Sequence, residues 1–416
     1  MTPTRTEAVN TELALWLDRI NTLDPSRVEL GLSRIRAVLP RLGLGNDAIT
    51  ITVAGTNGKG SSVYWLDAFL RRMDLRVGRY TSPHLSSFNE RIAVDGQTVS
   101  DAALVQAFED VAAAQQGVEL TYFEFTTLAA LIVFANAAVD VQVLEVGLGG
   151  RLDAVNAVIP DACLLTGVDF DHQRWLGDSL EAIGREKAGI FRASVPAVIA
   201  TVDPPSSVLE VAHAVGADVW LLGQDFEIAN QEYRGRDRRA SVALSSDNVA
   251  TSLLSGVLAT LESLGLLNRL SDADIAAVQR VRPPGRLEWF EGRPGVLLDV
   301  AHNPQSIGRL AQWLERSRDM NDTTLVFGAM LDKPIAEMLD RLAGVVDRWV
   351  AVCAGGERAM PADALGAMMV NVSGRAAMIA GSPVAGLNAA RSRTPADGRI
   401  VVAGSFPVVG SVRAAL

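Results

Sequence analysis

The sequence predicts an α/β fold in two domains, the larger of which is built on a doubly wound, mostly parallel sheet. Short β-branched runs alternate with longer helical patterns along most of the 416 residues, and this alternation is typical of consecutive βα units. The runs are continuously apolar, as expected for strands that are buried on both faces of a sheet. Two consecutive prolines, at positions 283 and 284, separate these runs into two sets.

The first set contains five predicted strands with helices between them. The strands are AITITVAG (48–55), LRVGRYTS (75–82), VQVLEVG (141–147), ACLLTGV (162–168) and PAVIAT (196–201). The clearest helical patterns are SVYWLDAFLRRM (62–73), DAALVQAFEDVAAAQ (101–115) and SLEAIGREKAG (179–189). Ser100 stands directly before an acidic residue, which is typical of a helix N-terminus, so we expect the second of these helices to begin there.

The second set follows the prolines and again consists of strand-like runs separated by helical or loop segments. These runs are VLLDVAH (296–302), TTLVFGAM (323–330), DRWVAVCAG (347–355), RAAMIAG (375–381) and GRIVVAGS (398–405). Consecutive prolines fit neither a helix interior nor a central strand, so we place the domain boundary there. The sequence therefore predicts a larger domain of residues 1–282 and a smaller α/β domain of residues 283–416, with a cleft between them.

The composition limits the classes of partner. Apolar residues make up 49% of the chain and charged residues 21%, which is ordinary for a globular protein. The formal net charge is -10 and no block of lysine or arginine occurs, whereas nucleic acid backbones are bound by concentrated positive charge. We therefore expect no nucleic acid partner, although a small anionic substrate needs only a local cation.

Nothing in the sequence predicts a membrane segment or a secreted protein. The N-terminal stretch MTPTRTEAVNTELALWLDRI lacks the apolar core of a signal peptide, and the longest apolar stretch, LAALIVFANAAV (128–139), is too short to span a bilayer. Cys163 and Cys353 lie in separate strand-like runs and are expected to be small core residues, not a disulfide or a metal site. We therefore expect a cytoplasmic protein.

The segment ITVAGTNGKGSS (51–62) has the order of a phosphate-binding loop, namely a strand, a glycine-rich turn and a helix. Glycines let backbone amides curl around an anion, and the start of the helix adds partial positive charge. Lys59 would reach the terminal phosphates, and the hydroxyl of Ser61 or Ser62 would meet the accompanying magnesium ion.

The loop departs from the usual spacing G-x-x-x-x-G-K-[ST]. Val53 occupies the position of the first glycine, and Gly60 separates the lysine from the following serine. The alternative is an ordinary βα turn with an exposed lysine. Because the loop joins a buried strand to a helix, we favour phosphate binding.

Three of the four histidines lie at the carboxyl ends of predicted strands. His84, His172 and His302 occupy such loops, whereas His213 lies in a helical pattern and is expected to be a surface or packing residue. Ligands of open α/β sheets bind at the carboxyl ends of the strands, so the first three are candidate functional residues.

Glu145 ends an otherwise apolar strand. Burying a carboxylate costs about 3–5 kcal/mol of folding free energy unless the group is paired or bound to a metal. Magnesium beside the phosphates of the loop would supply that partner, because it prefers hard oxygen ligands. A salt bridge to Arg151 is the alternative.

Eight segments, in order along the chain, resemble one family. They are AGTNGKGSS, YTSPHLSSFNERI, TYFEFTTLAAL, LEVGLGGRLDAVN, FDHQRWLGDSLEAIGREKAGI, RPPGRLE, LDVAHNP and FGAMLDK. By them the chain is similar to the dihydrofolate synthase/folylpolyglutamate synthase family of the Mur ligase superfamily. The resemblance implies that residues 1–282 form a P-loop ATPase domain that also binds the folate or pterin. It implies that residues 283–416 form a Rossmann-like glutamate-ligase domain. The sequence does not give the oligomeric state, and a monomer is the simplest expectation.

The resemblance also implies the reaction. Such enzymes use ATP and two Mg²⁺ ions to convert a substrate carboxylate into an acyl phosphate, which the amine of L-glutamate then attacks to form an amide. Catalysis of this kind is mostly positioning and charge neutralisation. The segment VELGL (28–32) resembles that of bifunctional members, which implies activity on dihydropteroate and on reduced folates.

Individual residues take their expected roles from the same resemblance. The ATP phosphate loop matches Gly58, Lys59, Gly60 and Ser61. Further nucleotide contacts match Asn248, Arg286 and Asp299. Magnesium ligands match Ser61, Ser82, Glu145, His172 and Lys187. The catalytic residues are expected to be Lys59, Lys187 and His302.

The role expected for Lys187 rests wholly on the resemblance. The family carbamylates the matching lysine with carbon dioxide, which turns an amine into a carboxylate that can lie beside a cation. The residues around Lys187 alone predict an exposed helix lysine. His302 is expected to assist transfer to glutamate.

The acceptor substrate is expected to contact three segments. The matching residues are Glu29, Leu30, Gly31, Phe123, Glu124, Phe125, Leu152, Asp153 and Ala154. The rings of Phe123 and Phe125 have the shape to stack on a flat pterin, but aromatic residues beside an apolar helix also occur as core. Val155 replaces the usual threonine of the family, and GSFPVVGSVR near the C-terminus leaves Ser405 as a weak candidate for glutamate binding.

Other functions fit the sequence less well. A sister Mur-type ligase acting on a cell-wall nucleotide precursor would lack TYFEF and VELGL. A phosphate-loop kinase or NTPase would leave the second domain unexplained. A folylpolyglutamate synthase without the first activity stays open, and a non-catalytic relative would have lost Lys59, Glu145 or His172, all of which are present.

Overall fold

The structure is a computed structural model of the chain, and it describes residues 5–23, 29–45, 47–242, 248–317 and 322–416. The chain divides into two compact units. The first consists of Met1–Pro83 and Phe88–Val281, and the second of His84–Ser87 and Arg282–Leu416. Each unit is an α/β structure with its own sheet.

The first unit contains eleven of the strands within the described residues. Eight form one sheet: β1 Ile49–Ala54, β2 Val77–Tyr80, β3 Ile92–Val94, β4 Gln97–Thr98, β5 Val141–Glu145, β6 Ala162–Leu165, β7 Pro196–Ile199 and β8 Asp218–Leu221. A small antiparallel sheet consists of β9 Glu227–Ala229, β10 Glu232–Arg234 and β11 Arg239–Ser241.

The strand order of the large sheet is β4-β3-β2-β5-β1-β6-β7-β8. Only the β2–β3 and β3–β4 pairs are antiparallel; the other neighbours run parallel. The prediction of a mostly parallel sheet is therefore confirmed, and each of the five predicted strands of this region is present. The central position of β1 brings the glycine-rich loop to the middle of the sheet's carboxyl edge.

Ten α-helices of the described residues belong to the first unit. They are α1 Arg5–Asn21, α2 Ser33–Val38, α3 Lys59–Arg71, α4 Asp101–Gln115, α5 Tyr122–Asn136, α6 Gln173–Leu176, α7 Leu180–Ala188, α8 Ser206–Val215, α9 Asn248–Ser263 and α10 Asp272–Val278. The expected N-cap of α4 is confirmed, since the Ser100 hydroxyl accepts a hydrogen bond from the amide of Ala103.

Helices cover both faces of the large sheet. Successive side chains of a strand point to opposite faces, so each face carries its own core. On β5, Val143 packs with residues of α3 and α9. The next residue, Leu144, packs with residues of α4 and α5 on the other face. This arrangement is the doubly wound fold that the continuously apolar strands predicted.

The second unit has a six-stranded sheet of order β12-β13-β17-β14-β15-β16. Its strands are β12 Glu288–Phe290, β13 Gly295–Leu298, β14 Thr323–Phe327, β15 Arg348–Val352, β16 Ala377–Ala380 and β17 Arg399–Ala403. Its helices are α11 Pro304–Arg316, α12 Ile335–Leu342, α13 Ala362–Ser373, α14 Pro383–Arg391 and α15 Phe406–Arg413. All strand pairs are parallel except β12–β13.

Residues 84–87 join the second unit although they lie early in the chain. The reason is close packing, because a Cβ at Gly410 would lie 2.1 Å from the carbonyl oxygen of Leu85. The sequence assigned these residues to the larger domain, since nothing in their composition indicates the contact.

Both cysteines are free thiols. Cys163 is fully buried in the core of the first unit, as expected. Cys353 is only half-buried and packs against the core of the second unit. Among the described residues, no helix combines the length and the apolarity that crossing a membrane requires.

We predict that Gly189→Ala destabilises the first unit. A Cβ at Gly189 would lie 2.3 Å from Cβ and 2.6 Å from Cα of Arg151, and the Cα, as a backbone atom, cannot move aside cheaply. Overpacking typically costs about 1–3 kcal/mol, so urea unfolding should show a loss of that size. Gly45→Ala is the control, because no atom lies within 4 Å of its added Cβ. Equal stability of the two variants would contradict the packing described here.

Candidate active site

The loop of residues 55–58, between β1 and α3, has a shape that suits an anion. Gly55 and Gly58 have φ values of +147° and +89°. A Cβ at Gly55 would lie 1.9 Å from Oγ1 of Thr166, a hydroxyl that donates to the Asn57 carbonyl at 2.7 Å and so braces the loop. Gly58, the N-cap of α3, makes no side-chain cap hydrogen bond, and the partial positive charge at the start of a helix suits a phosphate.

Two lysine side chains meet at one carbonyl oxygen of this loop. Nζ of Lys59 donates to the carbonyl of Gly55 at 3.0 Å and to that of Thr56 at 3.3 Å. Nζ of Lys187, on α7, donates to the same Gly55 carbonyl at 3.1 Å. The structure therefore brings together the two lysines to which the sequence assigns catalysis.

Lys187 is buried, with 4% of its surface exposed. Burial lowers its pKa to about 7, the positive charge of Lys59 adds to this effect, and the carboxylates of Asp171 and Asp153 oppose it. The expectation of an exposed lysine, drawn from the neighbouring residues alone, is wrong, because Lys187 lies on the buried face of α7. Its role in the reaction stays a prediction.

Glu145 faces the start of α3. Its side chain is 5% exposed, and Oε2 accepts a hydrogen bond from the amide of Ser82 at 3.1 Å. A Cβ added to Gly60 would lie 3.6 Å from the same oxygen. The alternative salt bridge to Arg151 is wrong, because Arg151 pairs with Glu186 at 2.8 Å.

His172 lines the same cavity as the two lysines. The cavity is bounded by Gly55, Thr56, Lys59, Val146, Gly147, Leu148, Gly149, Asp171, His172 and Lys187. His172 is the N-cap residue of α6 and has a φ of +52°, and its side chain is 46% exposed. Three expected site residues, namely Lys59, Lys187 and His172, therefore share one cavity.

The donors at this edge of the sheet suit a hard divalent cation. Within the described ranges no cluster of three or more His, Cys, Asp or Glu side chains has the arrangement of a metal site. The carboxylate of Glu145 and the hydroxyls of Ser61 and Ser82 are oxygen donors, and magnesium is commonly bound by one or two carboxylates together with water and substrate phosphates. The residues therefore fit a magnesium ion that binds with its nucleotide.

Asp153 holds the next loop in place. Its carboxylate is buried and accepts the amides of Leu148 at 2.9 Å and Val155 at 3.0 Å. Burial raises the pKa of Asp153 to about 7, against the lowering effect of these hydrogen bonds and of the Lys59 charge. Its two oxygens are thus used within the protein, and the adjoining Leu152 provides a carbonyl that accepts the amide of Gly31 at 3.2 Å.

The three segments expected to bind the acceptor lie together. Arg34 joins two of them, because its Nε contacts Glu124 at 2.9 Å and its Nη1 contacts Glu29 at 3.3 Å. Glu124 also caps α5 by accepting the amide of Thr121 at 2.8 Å. Its other oxygen, Oε1, is buried and has no hydrogen-bond partner among the described residues. Val28, the first residue of VELGL, lies outside the described part of the chain.

The two phenylalanines differ. Phe123 is half-buried and its ring lies over the backbone of Gly147, where an added Cβ would be 2.5 Å from Cζ. Phe125 is 3% exposed and packs in the core against Trp16 and Phe108, at ring distances of 6.4 and 5.7 Å. Stacking of a ligand on Phe125 does not fit this position, because its faces already contact other rings.

The remaining two acceptor residues contribute little exposed side chain. Ala154 is buried in the core, as is its neighbour Val155. Leu30 is half-buried beside Gly31. Contacts from these positions would involve the backbone more than the side chains.

The second unit holds a polar cluster after β13. The carboxylate of Asp299 accepts the amides of Leu287 and Ala301 at 2.9 and 2.8 Å. Burial raises the pKa of Asp299, opposed chiefly by the charge of Arg286. Nδ1 of the His302 ring contacts the Val300 carbonyl at 2.8 Å, and because a carbonyl only accepts, Nδ1 carries the proton.

Ser405 and Asn248 give less support to the predicted site. Ser405 is buried, and its hydroxyl donates to the Gly328 carbonyl at 2.9 Å, so it is already used within the protein. Asn248 begins α9, and its side chain lies outside the described part of the structure. Its contact with a nucleotide stays a prediction.

Sequence reasoning missed three residues that build this site. They are Arg34, which links two substrate segments, Thr166, which braces the loop, and Asp171, which lines the cavity. Asp171 directly precedes His172 in the loop after a strand. The sequence does show this carboxylate beside a candidate metal ligand. Arg34 and Thr166 gave no such pattern, because the contacts of Arg34 with Glu124 and of Thr166 with Asn57 join residues that are distant in sequence.

Comparison with known proteins defines the class first. A profile of the Mur ligase glutamate ligase domain matches residues 285–406, which lie within the second unit. The C-terminal part of the chain thus contains the glutamate ligase domain of Mur ligases. Relatives that match nearly the whole chain identify the family.

The dihydrofolate synthase/folylpolyglutamate synthase of Escherichia coli (strain K12) is 35% identical over 420 residues, which cover 98% of this chain and 96% of that protein. The solved structure of E. coli FolC in complex with DHPP and ADP has a TM-score of 0.89 at 34% identity and covers 97% of each chain. A bifunctional folylpolyglutamate synthase/dihydrofolate synthase with Mn, AMPPNP and L-glutamate bound has a TM-score of 0.89 at 36% identity, over 100% of this chain and 99% of that one. This chain belongs to the dihydrofolate synthase/folylpolyglutamate synthase family of ligases, as the sequence motifs predicted.

We predict that Lys187→Met flattens the pH dependence of stability between about pH 7 and 10. The pKa of Lys187 is about 7 in the folded chain against an ordinary value of 10.5. In this window the unfolded chain binds more protons, so the wild type gains stability as the pH rises, by at most about 1.4 kcal/mol per pH unit. Methionine cannot titrate, so the variant lacks this contribution.

Urea unfolding at several pH values, in buffers freed of carbon dioxide, measures the effect. Arg185→Met is the control, because Arg185 lies on the same helix but its side chain is 56% exposed and pairs with Glu210. Parallel wild-type and Lys187→Met curves across this pH range would contradict the buried, mostly neutral amine.

Proposed function

We propose that this chain is an ATP-dependent amide ligase that adds L-glutamate to dihydropteroate and to reduced folates. The observation that carries the proposal is the meeting of Lys59 and Lys187 at the Gly55 carbonyl, beside Glu145. Two cationic or amine groups and one buried carboxylate around a glycine loop suit a polyphosphate with its metal. The relatives solved with ADP and DHPP, and with Mn, AMPPNP and L-glutamate, support the same substrates.

The nucleotide would bind with its phosphates on the first amides of α3. Lys59 already lies over the loop, and a short rotation of its flexible side chain would move Nζ from the carbonyls of Gly55 and Thr56 to a phosphate oxygen. Glu145, Ser82 and Ser61 would hold magnesium, and His172 would serve a second ion. The metal supplies charge neutralisation for the transferring phosphoryl group.

The reaction proceeds in two steps. The acceptor carboxylate attacks the γ-phosphorus, the bond to the β-phosphate oxygen breaks, and ADP leaves an acyl phosphate behind. The amine of glutamate then attacks the acyl carbon, the C–O bond to phosphate breaks, and inorganic phosphate is released with an amide. We propose that His302 takes the proton that the amine loses, because the contact of its Nδ1 with the Val300 carbonyl at 2.8 Å holds the imidazole in one orientation.

Lys187 is suited to carbamylation. A pKa of about 7 leaves a large fraction of the amine neutral at physiological pH, and only the neutral amine attacks carbon dioxide. The product carries a carboxylate and releases a proton. We propose that this carboxylate binds the second magnesium ion.

The acceptor would lie along the three joined segments. Oε1 of Glu124 supports this placement, because it is a buried acceptor without a hydrogen-bond partner among the described residues. A pterin ring carries amine and ring N–H donors that could reach it. The half-buried ring of Phe123 offers a flat apolar surface beside it.

We further propose that the enzyme is a cytoplasmic monomer. Gel filtration of the purified chain tests the oligomeric state.

A direct experiment tests which acceptor substrates the enzyme uses. The purified chain is incubated with ATP, magnesium and L-glutamate, together with either dihydropteroate or tetrahydrofolate, and the products are weighed by mass spectrometry. One added glutamate on dihydropteroate and further ones on the folate are expected. Addition to the folate alone would restrict the enzyme to folylpolyglutamate synthesis, and no glutamate-dependent product on either acceptor would contradict the proposal.

We predict that Lys59→Ala lowers the ligation rate by about 100- to 1,000-fold, as expected for loss of a group that stabilises developing charge. The fold should persist, because Lys59 is only half-buried and its Nζ donates to the carbonyls of Gly55 and Thr56 in the adjoining loop. Arg72→Ala is the control at the C-terminal end of the same helix, since Arg72 is exposed and pairs with Asp274. Near-normal turnover of Lys59→Ala would remove the loop lysine from the mechanism.

A further inference from the structure

Helix α3 presents one buried polar patch to β2, although the rest of its buried face is mainly apolar. Asp67 of α3 and Arg79 of β2 form an ion pair of 3.1 Å, with side chains only 1% and 6% exposed. The other oxygen of Asp67 accepts Nε of Arg71 at 3.3 Å. A buried pair of this kind gives little net stability, because desolvation offsets most of the attraction.

A third side chain completes the patch. The guanidinium carbon of Arg79 lies 3.8 Å from the ring centroid of Tyr64, which stands one turn of α3 before Asp67. Nε of Arg79 has no hydrogen-bond partner among the described residues. The arginine is therefore held by a carboxylate on one side and a ring on the other, and both belong to the same helix.

The patch joins the two segments that carry the candidate nucleotide site. On α3, Tyr64 follows Gly60 by one helical turn. On β2, Arg79 precedes Ser82 by three residues, and the amide of Ser82 donates to Glu145. Burial is the main cause that raises the pKa of Tyr64, the charge of Arg79 opposes it, and Glu145 of the candidate site is among the carboxylates that raise it further.

We propose that Asp67, Arg79 and Tyr64 are positioning residues, which fix the start of α3 against the end of β2 and so set the geometry of the magnesium–nucleotide site. Apolar surfaces alone tolerate small sliding motions, whereas a charge pair combined with a planar stack has one favoured geometry. The inference rests on the proposed function in one respect, namely that the site binds a nucleotide with its metal.

The first experiment separates positioning from stability. The double variant Asp67→Leu/Arg79→Met replaces the pair by apolar side chains, a change that often leaves stability unaltered or improved. We expect a thermal midpoint near that of the wild type. Calorimetry should nevertheless show about tenfold weaker binding of magnesium AMPPNP, and ligation should slow by up to about 100-fold, as misplacement of reacting groups by about 1 Å does.

Tyr233→Phe is the matched control in the same unit. It removes a 2.6 Å hydrogen bond between a buried tyrosine and Glu262. It should lower the thermal midpoint without changing nucleotide affinity. A loss of affinity in this variant equal to that in the double variant would overturn the proposal, since general destabilisation would then explain both.

Arg79→Lys keeps the proposal testable if the double variant does not fold. Lysine retains the charge opposite Asp67 but cannot stack as a plane on Tyr64, so we expect several-fold weaker nucleotide binding with the fold intact. Affinity and turnover within about twofold of the wild type, in either folded variant, would overturn the proposal. If the wild type binds nucleotide but forms no glutamate amide, the proposed function fails, and the calorimetric comparison alone decides the positioning role.

Discussion

The carbonyl oxygen of Gly55 is the point on which the whole site depends. It accepts the amines of Lys59 and Lys187, which reach it from different helices. Only glycine fits at this position, because any Cβ would overlap Thr166. The end of β1, the start of α3, the end of β6 and the helix α7 are thereby fixed around one turn of chain.

This constraint extends from the nucleotide loop toward the acceptor segments. The amide of Arg151 donates to the Glu186 carbonyl, so the loop after β5 is fixed to the helix that carries Lys187. That loop contains Leu152, whose carbonyl accepts Gly31 of the N-terminal segment. The glycine loop, Lys187 and the segments that we propose to bind the acceptor are thus parts of one hydrogen-bonded framework, which suits the proposed reaction because its catalysis would consist mostly of alignment.

Much of this framework was predictable from the sequence, because it depends on local patterns. Continuous apolar runs identified the strands, and the order strand, glycines, helix identified the loop around Gly58. The site at the carboxyl edge followed from the rule for parallel sheets. For Glu145 the sequence offered magnesium or Arg151 as the partner; magnesium stays a prediction, and Arg151 is wrong because it pairs with Glu186 while Glu145 accepts the amide of Ser82. An ion pair depends on tertiary contacts that spacing does not reveal.

The errors have physical causes as well. Lys187 was expected at the surface because lysines usually are, yet it follows Ile183 by four residues and so belongs to the apolar stripe of α7, where both are buried. Phe125 lies on a helix that is apolar on nearly every side, and such a helix gives no periodic pattern to separate a core ring from a ligand-facing one. The membership of residues 84–87 in the second unit depends on a contact with Gly410 far along the chain.

The central claim is that ATP activates the acceptor carboxylate, and transfer of an oxygen atom tests it most directly. The acceptor carboxylate is labelled with ¹⁸O, the complete reaction is run with ATP, magnesium and L-glutamate, and the released inorganic phosphate is analysed by mass spectrometry. If the carboxylate attacks the γ-phosphorus and glutamate then displaces phosphate, each phosphate released with an amide carries one labelled oxygen from the acceptor. Phosphate free of label, released in step with amide formation, would contradict an acyl phosphate and with it this account of the site.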